Sequence, residues 1–221
     1  MTSSRWHAHG NVYLVAEGDY EMETGSDGAL EVVGVDGDEV EVLVVNPDGS
    51  HAETSGNGTR IAGAWLMERT GRDEARVRVG DRVVAVRRVG ELYESELGAV
   101  RVVARERIAG LDVTVVDVGN PHAVVAGDPG DILLVGPLLE THPRFPNRTN
   151  VQVVRIDGPG EVTARVWERG VGETTASGSS AVAVAAATHD EGVVLVHFPG
   201  GDLRVRLADG RATLIGPAEP A

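Results

Sequence analysis

Short runs in which valine and other apolar residues alternate with charged ones recur along the first half of the chain, separated by Gly, Asp and Asn. They are "NVYLVAEG" (11–18), "EVEVLVVN" (39–46), "ARVRVG" (75–80), "DRVVAVRRV" (81–89) and "GAVRVVARERI" (98–108). A period of two between turn residues predicts strands. One stretch breaks the period: over 57–70, Ile61, Ala64, Trp65 and Met67 approximate helical spacing, and "TGRD" closes the run with glycine. The second half repeats the grammar with strands at 111–120, 123–127, 149–156, 161–170, 192–201, 202–210 and 211–216, and a helix at 178–189. The break near "ERIAG" predicts two domains, 1–108 and 109–221.

The halves resemble each other. "HGNVYLVA" (9–16) and "VGNPHAVVA" (118–126) each place an Asn after Gly at the edge of an apolar strand. A glycine-rich acidic loop then leads into Ser-Gly and a helix in both halves: "NPDGSHAETSGNG" and "WERGVGETTASGSS". The pattern predicts an α+β fold of two related halves, each with one principal helix, and no short-period solenoid.

Composition narrows the chemistry. A formal charge of −14 argues against nucleic acid and anionic membrane surfaces as partners. No apolar run reaches the roughly 18 residues of a membrane span, and "MTSSRWHAHGN" lacks the apolar stretch of a secretory signal, so the expected location is cytoplasmic. The chain has no cysteine, which excludes disulfides, thiolate metal sites and cysteine nucleophiles. All 20 basic residues are arginine, which excludes a Schiff-base lysine and the lysine of a P-loop.

The two Ser-Gly helix starts carry the functional signal. A helix N-terminus presents unpaired N–H groups and a positive dipole end, which suit a carboxylate or phosphate. Gly56, Asn57, Gly178 and Ser179 are small enough to let a ligand approach that backbone. Taken singly, Ser55 and Ser177 also read as ordinary N-caps. Their duplication behind matched polar loops points instead to a shared site, with a serine approaching an α-carbon from either face. That arrangement suits removal of a proton on one face and delivery on the other.

These motifs resemble those of diaminopimelate epimerase, a pyridoxal-phosphate-independent epimerase family of two pseudo-symmetric domains. The family's "MHxxGNxF" is similar to "WHAHGNVY", "GxDGLL" to "GSDGAL" (25–30), and "NADGSxAEMCGNGxRC" to "NPDGSHAETSGNGTRI" (46–61). "GNPH" is identical at 119–122, "RxNV" is similar to "RTNV" (148–151), and "ERGxGETxACGTGA" to "ERGVGETTASGSSA" (168–181). The order is kept over nearly the whole chain.

The resemblance implies a curved, mainly antiparallel sheet around a principal helix in each domain, and interconversion of LL- and meso-diaminopimelate for lysine and peptidoglycan synthesis. It implies no metal or organic cofactor, a small amino-acid substrate, and pairing as a homodimer. Ser55 and Ser177 stand where the family has its two catalytic cysteines. Gly56, Asn57, Gly178 and Ser179 would hold the reacting carboxylate. Asn11, Asn46, Asn120, Asn150, Glu168 and Arg169 match substrate-holding residues, with Arg169 suited to the distal carboxylate. His122 and Glu168 match the pair that tunes the acids and bases, although His122 alone reads as a turn histidine after Pro121. Should the serines not carry protons, His122, Glu53 and Glu173 are the next groups in line.

The match departs from the family in three ways. Both bases are serine, and a hydroxyl is a far weaker acid than a thiol of pKa near 8.5. Ile61, Ala123 and Val182 stand where such chains often carry further cysteines, so the whole chain is cysteine-free rather than altered at two points. The segment before Gly25 is short, which predicts loss of a helix there, and the residues after Gly216 are not read as a strand. Two other expectations therefore stand beside epimerisation: another racemase or dehydratase on this fold, and an amino-acid-binding homologue without catalysis.

Overall fold

The computed structural model describes residues 2–8, 11–52 and 55–221. In chain order the elements are β1 (Thr2–Ala8), β2 (Asn11–Glu17), β3 (Gly28–Asp36), β4 (Glu39–Val45), β5 (His51–Ala52), α1 (Gly56–Thr70), β6 (Glu74–Val79), β7 (Arg82–Val89) and β8 (Leu92–Ala99). There follow β9 (Arg101–Ile108), β10 (Leu111–Asp117), β11 (Pro121–Ala126), α2 (Ile132–Glu140), β12 (Asn150–Gly158), β13 (Glu161–Glu168) and β14 (Gly172–Thr174). The chain continues through α3 (Gly178–Thr188), β15 (Gly192–Phe198), β16 (Gly201–Ala208), β17 (Arg211–Gly216) and β18 (Glu219–Pro220). The fold is sheet-dominated α+β, as the pattern predicts. Its contacts divide it into one unit of Met1–Glu96 with Ile215–Ala221 and a second of Leu97–Leu214.

The internal repeat is a repeat of topology. In the first unit β2 runs parallel to β3, which turns back antiparallel onto β4. β5 adds to β4, α1 crosses over, and β6 returns parallel to β4 before pairing with β7. In the second unit β11 runs parallel to β12, which turns back onto β13, and β14 adds to β13. α3 then crosses over, and β15 returns parallel to β13 before pairing with β16. Even the bulges correspond: the register of the first hairpin shifts between Val32 and Gly34, that of the second between Ile156 and Gly158. A parallel return requires a crossover connection, which α1 supplies between β5 and β6 and α3 between β14 and β15.

Each unit packs its helix against its own sheet. In the first, Ile61, Ala62, Ala64, Leu66 and Met67 of α1 are buried with Leu30, Val40, Val42, Val44, Val77 and Val86. Gly63 is where α1 comes closest to β7, since a Cβ there would lie 2.7–2.9 Å from three atoms of the Val86 side chain. In the second, Ala181–Ala186 of α3 are buried against Val162, Ala164, Val194, Val196 and Leu203. Alanine and valine suffice because the helix is enclosed by strands and needs no polar face. A smaller cluster seats α2 through Ile132, Val135 and Leu139 against Val113, Val125 and Val153.

The pattern gives no sign of β1, β3 or α2, and the structure bears on it at three further points. The run read as one strand over 98–108 is broken at Val100, whose N–H bonds the Gly210 carbonyl, so β8 ends and β9 begins there. Residues 18–27 carry no helix, as expected, whereas the equivalent link of the second unit holds α2. The residues after Gly216 do form a strand: β18 pairs antiparallel with β1, with Trp6 opposite Pro220 and His7 opposite Glu219. Among the described residues, no helix is long and apolar enough to cross a membrane.

Candidate active site

Ser55 caps α1. Its backbone is extended (φ −143°, ψ 116°), and its Oγ accepts the Gly58 N–H at 2.9 Å. This is the side-chain bond that makes serine a favoured cap. A Cβ at Gly58 would lie 3.0 Å from that same Oγ, so glycine keeps the cap unobstructed. The Tyr13 hydroxyl lies 3.2 Å from Ser55 Oγ. Beside the cap, Asn57 donates from Nδ2 to Asn11 Oδ1 at 2.6 Å. Asn46 is placed differently: its Nδ2 donates to Ser50 Oγ within its own turn at 2.9 Å, and its N–H bonds the Ser50 carbonyl. Glu53 lies outside the described residues, as do His9, Gly10 and Thr54.

Ser177 starts α3 with the same extended backbone (φ −148°, ψ 130°) but makes no side-chain cap bond. The first N–H groups of α3, those of Gly178 and Ser179 among them, therefore take no acceptor from the cap residue. Ser177 Oγ instead lies beside the Glu168 carboxylate, whose pKa it helps to hold down, and 3.4 Å from Ser179 Oγ. Thr174 Oγ1 donates to Glu168 Oε1 at 2.5 Å. Burial raises the Glu168 pKa above the ordinary carboxylate value, against the opposing pull of the Thr174 and Ser177 hydroxyls. The pair of serines is alike in backbone and unlike in chemistry: one is a cap, the other adjoins a half-buried acid.

His122 is wholly buried, and its environment sets its charge. Burial, with the Arg169 cation adding to it, lowers its pKa to about 4. The imidazole is thus neutral near pH 7. Both nitrogens are engaged: Nε2 with Asn120 Oδ1 at 3.0 Å and Nδ1 with Gln152 Nε2 at 3.0 Å. Gln152 Nε2 also donates to Ser180 Oγ at 2.9 Å. Asn150 ties two loops together, donating to the Pro121 carbonyl at 3.1 Å and accepting the Arg169 N–H at 3.0 Å. The Arg169 side chain is exposed and donates to the Asn147 carbonyl at 3.3 Å. Glu173 is paired with Arg165.

Within the second unit the structure thus brings together Asn120, His122, Asn150, Glu168, Arg169, Ser177, Gly178 and Ser179. Within the first it brings together Asn11, Ser55, Gly56 and Asn57, while the Asn46 amide closes its own turn. The motifs assign no role to several supporting residues, although Tyr13, Arg60 and Ser180 lie inside them. Glu140 accepts from Trp167 Nε1 and Gly170 N, each at 2.8 Å, and from Arg148 at 3.3 Å, so it anchors the loop bearing Glu168 and Arg169. Tyr13, Gln152 and Ser180 read from sequence as ordinary strand and helix residues. Arg60 reads as a surface charge, yet it is fully buried.

Comparison with known proteins decides the family. The diaminopimelate epimerase family model matches residues 114–219. A diaminopimelate epimerase from Desulforudis audaxviator is 34% identical over 99% of this chain and 96% of its own. The chain belongs to the diaminopimelate epimerase family. A second diaminopimelate epimerase, from Pelotomaculum thermopropionicum, is 34% identical over 91% of this chain and 83% of its own. The fold extends further: a hydroxyproline epimerase from Agrobacterium vitis, solved with trans-4-hydroxy-L-proline, superposes with a TM-score of 0.70 at 14% identity, covering 99% of this chain and 88% of that one.

Proposed function

We propose that this chain epimerises an amino acid of the diaminopimelate type by cofactor-independent transfer of the α-proton, with LL- and meso-diaminopimelate as its substrate pair. The observation that carries the reading is the Ser177–Glu168 contact. A hydroxyl at the first helix position is too weak a base alone, but here it adjoins a carboxylate whose pKa is raised by burial. In the forward step the Cα–H bond breaks as its proton passes to Ser177 Oγ, while the Ser177 hydroxyl proton passes to Glu168. Ser55 delivers its hydroxyl proton to the opposite face, and its Oγ takes a proton in turn from the Tyr13 hydroxyl 3.2 Å away. The N–H groups of Gly56, Asn57, Gly178 and Ser179 hold the reacting carboxylate and stabilise the charge that develops beside it. Asn11, Asn120 and Arg169 hold the rest of the substrate, and Asn46 and Asn150 shape the loops around it.

A second reading has its own support. Ser55 Oγ is engaged as a cap and has no carboxylate bonded to it among the described residues. With only one competent face, the protein would bind an amino acid and exchange its α-proton without inverting it, or redirect the carbanion toward elimination.

Incubation with LL-diaminopimelate in heavy water separates the readings. Epimerisation predicts deuterium at the α-carbon together with the meso isomer. Deuterium without inversion selects the one-base reading, and tight binding without exchange selects a binding homologue. No binding and no exchange refutes both.

A further inference from the structure

Arg60 has no place in the chemistry above, yet its setting is unusual. It lies in the second turn of α1, fully buried, and burial lowers its pKa to about 10. Nε donates to the Pro217 carbonyl at 2.8 Å and one terminal nitrogen donates to Asn57 Oδ1 at 2.8 Å. The other terminal nitrogen has no partner among the described residues. A buried, unpaired guanidinium is costly, so what it does to its neighbours matters.

A guanidinium can only donate. The atom of Asn57 that faces Arg60 must therefore be the acceptor Oδ1, which leaves Nδ2 to face Asn11. Asn57 Nδ2 donates to Asn11 Oδ1 at 2.6 Å. That contact fixes the second amide in turn: Asn11 holds its Oδ1 inward and leaves its Nδ2 without a partner among the described residues. We propose that Arg60 is a positioning residue that sets the polarity of the Asn57–Asn11 relay, so that Asn11 offers a donor to an anionic oxygen of the bound ligand. That the oxygen is a substrate carboxylate rests on the function proposed above; the polarity does not.

The second unit brings its corresponding asparagine to the same state by other means. Gln152 Nε2 donates both to His122 Nδ1 and to Ser180 Oγ, while its Oε1 has no partner. The reversed amide would strand two buried N–H groups instead of one carbonyl oxygen, so the observed orientation is the cheaper. His122 then carries its proton on Nε2 and donates to Asn120 Oδ1 at 3.0 Å. The Asn120 Nδ2 is left outward, like that of Asn11. A fixed cation in one unit and a fixed tautomer in the other give both asparagines the same sense.

The test uses the full chain carrying 15N-asparagine and reads side-chain hydrogen exchange. In the wild type the Asn57 Nδ2 protons should exchange about tenfold or more slowly than those of Asn11, because only the former are bonded inside the protein. Asn57→Asp supplies acceptors on both sides, so Arg60 gains an ion pair and Asn11 must turn its Nδ2 inward. Expected are an unchanged or higher Tm, slowed exchange at Asn11, and a Kd for meso-diaminopimelate weakened about tenfold or more. The weakening should persist at high salt, where repulsion between separated charges is screened. Fast exchange at Asn57 in the wild type overturns the relay without any variant, as does unchanged exchange at Asn11 in Asn57→Asp. An unchanged Kd in a variant whose Asn11 has turned overturns the donor role. If wild type binds no diaminopimelate while the exchange pattern holds, the substrate reading fails and the relay stands.

Discussion

The Oγ of Ser55 accepts the backbone N–H of Gly58, and the equivalent serine of the second unit, Ser177, makes no such bond. The two positions should therefore respond differently to the same substitution. Ser55→Ala should cost about 1 kcal/mol of stability, the usual value of a lost cap. Ser177→Ala should cost a few tenths at most by that measure, while removing a hydroxyl from Glu168. Denaturant midpoints of the two variants at one pH check this, and equal losses would contradict the asymmetry.

Glu168 links stability to activity with opposite signs. Its folded pKa lies above the unfolded one, so whatever stability it contributes is present below the unfolded carboxylate value and disappears as pH rises through the folded value. Above that window the buried charge is a net cost. Glu168→Gln should thus gain in Tm relative to wild type as pH rises from about 4 toward 7, while α-proton exchange falls by roughly a hundredfold or more. A variant that loses both stability and exchange at pH 7 would make Glu168 a structural acceptor only.

Exchanging the serines for thiols tests base identity. Ser55→Cys with Ser177→Cys is nearly isosteric, and a helix N-terminus favours the thiolate. Deuterium incorporation into diaminopimelate should rise strongly in the double variant and less in either single one, since inversion needs an acid and a base on opposite faces. A double variant that folds, binds and still shows no exchange places the deficit elsewhere than in the base.

Glu140 is expected to be the costliest of these positions. Glu140→Ala would leave the Trp167 indole and the Gly170 N–H without their acceptor, a loss of roughly 2–3 kcal/mol. The Trp167 bond first, and then the Gly170 N–H and Arg148, hold the Glu140 pKa below its usual value despite burial. Its stabilisation is accordingly present above the unfolded carboxylate value and is lost as pH falls through the folded one. Urea unfolding of wild type and variant from about pH 3 to 7 should show the difference closing at the acid end.

His197 gives the opposite pH dependence. It bridges Asp202 at 2.7 Å and Glu161 at 2.8 Å, and those bonds, Asp202 first, raise its pKa. The contribution is full below the unfolded value near 6.5 and is lost as pH rises through the folded one. Both carboxylates are more than half exposed, so His197→Gln should cost no more than about 0.5 kcal/mol near pH 6. The loss should vanish in alkaline buffer, and a loss that grew with pH would contradict the assignment.

The sequence reveals most where local chemistry and tertiary structure agree. Ser55 and Ser177 mark the starts of α1 and α3, Gly71 ends α1 in a left-handed conformation (φ 69°), and the valine-rich alternation locates most of the hairpins. It reveals least where a local rule is overridden. α2 escapes notice because Gly136 and Pro137 interrupt "ILLVGPLLE", and only packing of Ile132, Val135 and Leu139 on the sheet holds it helical. β3 is obscured by Gly34 at the bulge and by the exposed Asp36 beyond it. Arg60 passes for a solvent-facing charge. Its one clue is that Gly56, Asn57, Gly63 and Ala64, the positions a turn away, offer no acidic partner. The Glu168–Ser177 contact joins residues on either side of a short strand and a loop, and only the folded β13–β14 hairpin brings them together.

The seven C-terminal residues have a consequence for how the chain is made. They belong to the first unit, where β18 pairs with β1 and the Pro217 carbonyl meets Arg60. The second unit is one uninterrupted stretch of chain; the first is not. During synthesis the unit begun first is therefore completed after the second: Arg60 waits for its carbonyl until Pro217 has left the ribosome, whereas domains ordinarily finish folding in the order they emerge. A gene cut after Glu96 would release a half lacking both a strand and a partner for its buried cation. The duplicated topology is still visible, but the two copies are no longer separable as folding units.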